Sequence, residues 1–194
     1  AERVHAPGLR LEAFLNAALS RKMKVYLAEM EFSGDSLRKF APRRDVDAHR
    51  LLEGTPAEVD AQLEYWLSET EPDAVVALTD VGAVSAARSS YAGPLYVDYN
   101  GHPMTERQQQ AHVHQSNEAL AEQWLHVLPV LLRADRFSVC SPAQRLALIG
   151  ELGTAGRLNA ETAGYEFVDV IPPSLPFEDP LKISNPAILE KYDI

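Results

Sequence analysis

The chain has 194 residues, of which 46% are hydrophobic and 24% charged, and its formal net charge is -10. Such a length and composition suit a globular domain that buries a full core. The acidic balance argues against nucleic-acid binding and against attraction to an anionic lipid surface. No run approaches the ~20 apolar residues of a membrane span, and the N-terminus shows no signal pattern. The single cysteine, Cys140, has no internal partner for a disulfide, so a reducing, cytoplasmic setting is expected. Its apolar surroundings, Arg136 to Ser141, predict a buried structural thiol. The chain opens on Ala1 rather than methionine and reads as part of a longer polypeptide.

Helical spacing begins at Pro7, with Leu11, Phe14, Leu15, Ala18 and Leu19 on one stripe. Met23 to Ala28 then reads as a strand, stopped by the turn residues Ser33-Gly34-Asp35. Ser36 to Gly54 is polar and weakly patterned, compatible with a loop or a short helix. Thr55-Pro56-Ala57-Glu58 is a helix start with cap, first-position proline and capping-box glutamate. Val59, Leu63, Trp66 and Leu67 continue it as an apolar stripe.

Asp73 to Thr79 has the composition of a buried strand, and Ala83 to Tyr91 is helix-compatible. Gly93-Pro94 resets the chain into a third strand, Leu95 to Asp98. One long helix is predicted from about Glu106 to Arg133, kinked or interrupted at Pro129. Arg136 to Cys140 is the fourth strand, Ser141-Pro142 opens a helix through Leu152, and Phe167 to Ile171 is the fifth strand. Short apolar strands alternating with helices predict right-handed crossovers. The expected fold is therefore α/β, a doubly wound, Rossmann-like parallel sheet in a single domain over residues 1–172. Residues 173–194 are proline-rich and read as an interdomain linker or tail.

Ligands of open parallel sheets bind outside the carboxyl ends of the strands. That rule selects the segment at Gly8, Thr79-Asp80-Val81-Gly82, Asp98-Tyr99-Asn100-Gly101-His102, and Ser141. A helix starting at Pro7-Gly8 offers free N–H groups to an anion, although no G-x-G-x-x-G or Walker motif precedes it, and Gly8 also reads as a plain turn glycine. Asp98 and His102 are the best acid/base pair, because a carboxylate can orient or charge an imidazole. Asp80 is the equivalent candidate one strand away, and either aspartate also reads as a cap for its turn. His112 and His114 face different directions on a helix and predict a solvated surface rather than a metal site. Asp45-Val46-Asp47 formally matches D-x-D, but no strand leads into it and a solvated loop is favoured. No metal is expected.

Several of these stretches together carry a resemblance. Ala6-Pro7-Gly8-Leu9-Arg10, followed by Ala17-Ala18-Leu19 and Val25, resembles the GPGxR opening of many GT-B glycosyltransferases. Leu131-Leu132-Arg133-Ala134-Asp135-Arg136-Phe137 through Ser141 is similar to their "ADrf.v.S" step. Gln144-Arg145, Gly150-Glu151-Leu152, Gly156-Arg157-Leu158-Asn159 and Val170-Ile171-Pro172-Pro173 follow in the order of one bacterial, family-4-like branch. The resemblance implies the N-terminal, acceptor-side half of a GT-B fold. In that family the opening segment follows a first strand, which is not found before Pro7. The E-x7-E pair of the second domain has no match here, and Ser174 stands where the family usually has glycine.

From the resemblance, the Gly8 segment would approach the donor diphosphate, and Asp80, Asp98 and His102 would line the acceptor side as catalytic candidates. Gly8, Arg10, Asn100, Ser141 and Arg145 are the substrate-binding candidates, with packing or ion pairing an equal reading for Arg145. The implied partners are a sugar nucleotide, bound mostly by the other domain, and a glycan, lipid or small-molecule acceptor, with no cofactor. A hexosyltransferase inactive in isolation is the expected function. The alternatives are a free-standing doubly wound module for a small molecule or nucleotide, and a hydrolase or phosphatase using Asp80 or Asp98.

Overall fold

The computed structural model describes residues 6–32 and 43–173. The turn read at Ser33 to Asp35, the start of the polar stretch to residue 42 and the tail from Ser174 lie outside the described residues. In chain order the elements are α1 (Ala6–Ser20), β1 (Tyr26–Phe32), β2 (Ala48–Gly54), α2 (Pro56–Thr70), β3 (Val75–Leu78) and α3 (Thr79–Arg88). They continue with β4 (Leu95–Tyr99), α4 (Pro103–His114), α5 (Glu118–Arg133), β5 (Arg136–Val139), α6 (Pro142–Thr154) and β6 (Val168–Val170).

Every strand pairing is parallel. β1 pairs with β2, and a second ladder runs β3-β4-β5-β6. The fold is α/β, with parallel sheets flanked by helices in a Rossmann-like arrangement. Alternation along the strands explains the layering. Leu95, Val97, Tyr99, Phe137 and Val139 share one face and are almost fully buried. They form one core with Ala83 and Val84 of α3, Val130 and Leu131 of α5, and Leu148 and Leu152 of α6. Each large side chain buried there contributes about 1.5–3 kcal/mol.

The opposite face carries Tyr96 and Asp98, with Ser138 and Asp169 in register beside Asp98. α1 lies over it: Phe14 meets Tyr96 at 6.3 Å between ring centroids, and Arg10 reaches Asp98. Helices therefore flank both faces.

Three elements differ from the sequence pattern. β1 starts three residues later than predicted, because Lys22 adopts a left-handed conformation (φ 59°) and the chain stays irregular until Tyr26. The polar stretch before Gly54 contains a strand, β2, whose Leu52 is fully buried in the shared core. The long helix is two helices. The break falls at Gln115 (φ 52°), where the C-cap N–H returns to Ala111 and His112, whereas Pro129 sits inside α5 without ending it.

The α2 start matches its prediction in detail. The Thr55 hydroxyl accepts from the Glu58 N–H, and the Glu58 carboxylate accepts from the Thr55 N–H at 2.7 Å. This leaves Leu52 and Val59 on either side of a tight β2–α2 connection through Gly54, whose φ of 132° a residue with a side chain rarely adopts.

Candidate functional site

The carboxyl ends of β3, β4 and β5 each pass directly into a helix start, and the polar residues selected from sequence collect there. Thr79 and Asp80 form the first turn of α3, His102 caps α4 and Ser141 caps α6. These caps satisfy N–H groups that the helices leave unpaired. Ser141 Oγ accepts from the Gln144 N–H at 3.2 Å, and His102 Nδ1 accepts from the Thr105 N–H at 3.3 Å.

The other ring nitrogen of His102, Nε2, is buried and makes no hydrogen bond among the described residues. Nε2 faces Glu151 of α6, 3.4 Å from Oε1, and both side chains are mostly buried. Burial pushes the Glu151 carboxyl above its usual range, and the nearby imidazole pulls it partly back. Beside the pair, the Tyr99 hydroxyl is buried and has no hydrogen-bond partner among the described residues. Burial raises that phenol far above its ordinary value, and the charges of Asp80 and Glu151 add to the effect. Asp80, Tyr99, His102 and Glu151 thus form an acid-rich cluster in which a carboxyl group is biased toward holding a proton.

Asp98 lies elsewhere in this geometry. It is fully buried on the α1 face, where Arg10 donates from Nε to Oδ2 at 2.9 Å and from Nη2 to Oδ1 at 2.6 Å. The Ser138 hydroxyl donates to Oδ1 as well. Arg10 also donates to the carbonyls of Ile171, at 2.7 Å, and Pro172, at 3.3 Å. The Asp98 hydrogen bond holds the guanidinium above its ordinary value despite burial. Asp98 and His102, paired from sequence, are therefore served by different partners. A bidentate Arg–carboxylate contact of this kind fixes geometry as well as charge.

The remaining candidates have definite places. Asp80 accepts from the Gln123 side chain at 3.0 Å, and Gln123 accepts in turn from Arg107 Nε and Nη2. Asn100 accepts the Cys140 thiol proton at its carbonyl, 3.2 Å away. Cys140 is half-buried, and burial raises its thiol. Arg145 donates to the Val168 carbonyl at 3.0 Å and ties α6 to β6. Gly8 lies in the first turn of α1, and a Cβ placed there would meet no atom within 4 Å. Both aspartates of the D-x-D are engaged: Asp45 with Arg43, and Asp47 as acceptor of the Val25 N–H. Val113, between His112 and His114, is the exposed apolar residue of that helix end.

No family model, curated protein or solved structure matches the chain. Among the described residues no three His, Cys, Asp or Glu side chains are grouped to hold a metal ion, and no helix is long and apolar enough to cross a membrane.

Sequence reasoning missed Glu151, Tyr99 and the Arg107–Gln123–Asp80 chain. Glu151 sits amid a helical run of leucines, a position for which burial is costly to a carboxylate. That mismatch was the signal available. Tyr99 lay inside a segment chosen for its neighbours.

Proposed function

We propose that the chain is the N-terminal, acceptor-side domain of a sugar-nucleotide-dependent glycosyltransferase of GT-B type. The observation that carries the reading is the row of polar helix starts at the carboxyl ends of three adjacent parallel strands, β3, β4 and β5. Crevices outside the carboxyl ends of parallel strands are where doubly wound sheets hold their ligands. The motif order set out from the sequence supplies the reaction class.

Glycosyl transfer moves a sugar from a diphosphate to an acceptor hydroxyl. The hydroxyl must lose its proton as its oxygen bonds to the anomeric carbon, while the bond from that carbon to the diphosphate oxygen breaks. In this reading the ionised Glu151 carboxylate accepts the proton, and the nearby His102 imidazole favours its ionised form. Asp80, held by Gln123, lines the acceptor side with Asn100. Asp98 acts one step removed, since it fixes Arg10 and through it the start of α1. Gly8 leaves that first turn open to a diphosphate, and Ser141 and Arg145 shape the far side through the α6 start.

The test titrates UDP-glucose, UDP-N-acetylglucosamine and GDP-mannose into the 194-residue chain by calorimetry, with donor hydrolysis followed in parallel. Weak or absent binding and no turnover are expected, with transfer appearing when a donor-binding domain is joined. In that joined enzyme Glu151→Gln lowers kcat by about 10²–10⁴-fold and leaves the donor KM unchanged. Tight donor binding with turnover by this chain alone overturns the proposal.

A further inference from the structure

The acid cluster is enclosed. Tyr99 is 2% exposed, and the His102 and Glu151 side chains are 12% and 17% exposed. The His102 ring lies against Glu151, yet its Nε2 and the Tyr99 hydroxyl make no hydrogen bond among the described residues. Buried polar groups are nearly always paired, so two orphans in one cluster weaken the enclosed arrangement.

The piece that covers the cluster is the start of α4. His102 is its N-cap, reached from β4 through Gly101. α4 itself is poorly rooted. Of its 12 residues only Pro103 and Ala111 are buried, and Val113 near its end is 73% exposed. It packs chiefly against α5. A helix that is polar on nearly every face has little apolar area to hold it in place. A polar contact supplies the hold: Arg107 donates from Nε and Nη2 to Oε1 of the buried Gln123, at 3.0 and 2.8 Å. At the far end the C-cap, Gln115, takes a left-handed conformation (φ 52°), and the chain turns there toward α5. α4 is thus a rod between two turns, with its inner end resting on Glu151.

We infer that α4 is a lid. It lifts as a unit about Gly101 and Gln115, carries the His102 ring off Glu151 and uncovers the Tyr99 hydroxyl, as the lids of enclosed sites do. Arg107 is its latch. Gln123 gives its Oε1 to Arg107 and its Nε2 to Asp80, so lifting α4 also releases the group that holds the Asp80 carboxylate. An acceptor would reach the proposed base by this route. The motion itself stands without the glycosyltransferase reading, because it is measured with no donor or acceptor present.

The test reads the 194-residue chain in two ways. Amide exchange by NMR follows α4 from Arg107 to His114, with Val130 and Leu131 of α5 and Leu148 and Leu152 of α6 for comparison. Modification by diethyl pyrocarbonate, resolved by peptide mass spectrometry, follows His102 against the exposed His112 and His114. The α4 amides are expected to share one protection factor, about 100-fold below those of the buried positions of α5 and α6. His102 reacts more slowly than the two exposed histidines by that same α4 protection factor, within a few-fold, since one opening governs both. Arg107→Met speeds α4 exchange and His102 modification together by about 10–100-fold, the weight of hydrogen bonds from a charged donor, and leaves α6 unchanged. Protection in α4 equal to that of α5 overturns the inference, as does protection that fades residue by residue from one end. A His102 that stays unreactive while α4 exchanges, or an Arg107→Met chain in which neither rate moves, overturns it too. The wild-type measurements decide the matter whether or not that variant folds.

Discussion

Removing the Arg10 guanidinium tests the α1 anchor most directly. In Arg10→Met the side-chain stem is largely kept, but the fully buried Asp98 carboxylate loses both arms of its bidentate contact and retains only the Ser138 hydroxyl. Breaking a buried pair by deleting one partner costs about 3–5 kcal/mol, because an uncompensated charge is left behind. The carbonyls of Ile171 and Pro172 also lose their donor, which adds to that cost. Against a total stability of about 5–15 kcal/mol this is a large fraction. With a urea m-value of about 2 kcal/mol/M, the midpoint falls by about 1.5–2.5 M. The double variant Arg10→Met/Asp98→Leu removes both charges, and replacing a buried pair with apolar residues is often close to neutral. The double variant should therefore recover most of the loss. Urea unfolding of wild type, both single variants and the double variant, followed by circular dichroism, completes the cycle. A midpoint drop below about 0.5 M for Arg10→Met, or single-variant losses that simply add, refutes the assignment of Asp98 as a paired structural carboxylate.

Two further predictions follow from local geometry. Glu151 has a folded-state pKa raised above its ordinary value of 4.5 by burial. In the window above pH 4.5 the folded state then holds more protons than the unfolded state, so stability falls as pH rises through it. Glu151→Gln should flatten that slope in melting curves taken from pH 4.5 upward, and an unchanged slope would show that the carboxyl is not the group responsible. Thr79 is a β-branched residue with φ 67° at the junction of β3 and α3. Thr79→Gly should relieve about 1–2 kcal/mol of backbone strain, visible as a higher urea midpoint. A lower midpoint would mean that the threonine side chain contributes more than its backbone conformation costs.

The alternation of strands and helices was legible because it is written in periodicity and punctuation, which are local. Thr55, Pro56 and Glu58 announce α2 by a mechanism that needs no tertiary partner, and the capping box is present as read. β2 was not legible for the opposite reason. His49 and Arg50 make Ala48 to Gly54 look like a loop, and only packing places Leu52 in the core and Arg50 over the Trp66 ring at 4.3 Å. The break between α4 and α5 was assigned to Pro129, the residue with the strongest local penalty. The chain instead turns at Gln115 to Asn117, where the left-handed Gln115 and the return of the Gln115 and Ser116 N–H groups to His112 and Ala111 close α4.

The candidate site divides along the same line. An aspartate at the carboxyl end of a strand carries one sequence signature whether it is a catalyst or a buried ion-pair partner. Asp80 and Asp98 were indistinguishable until their neighbours were known. Pleat parity separates them. Asp98 alternates with Val97 and Tyr99, so it points away from the core face, and the residue it meets there is Arg10, eighty-eight positions earlier. Tyr99, one residue on, points to the other side and meets the surroundings of Asp80 and Glu151. The two residues that end β4 thus serve opposite faces of one sheet: one locks α1 in place, and the other borders the acid cluster. Pro7, Gly8 and Leu11 of α1 line a groove of about 540 Å³ together with β1 and β3, so the Arg10–Asp98 contact ties that end of α1 to the carboxyl end of β4.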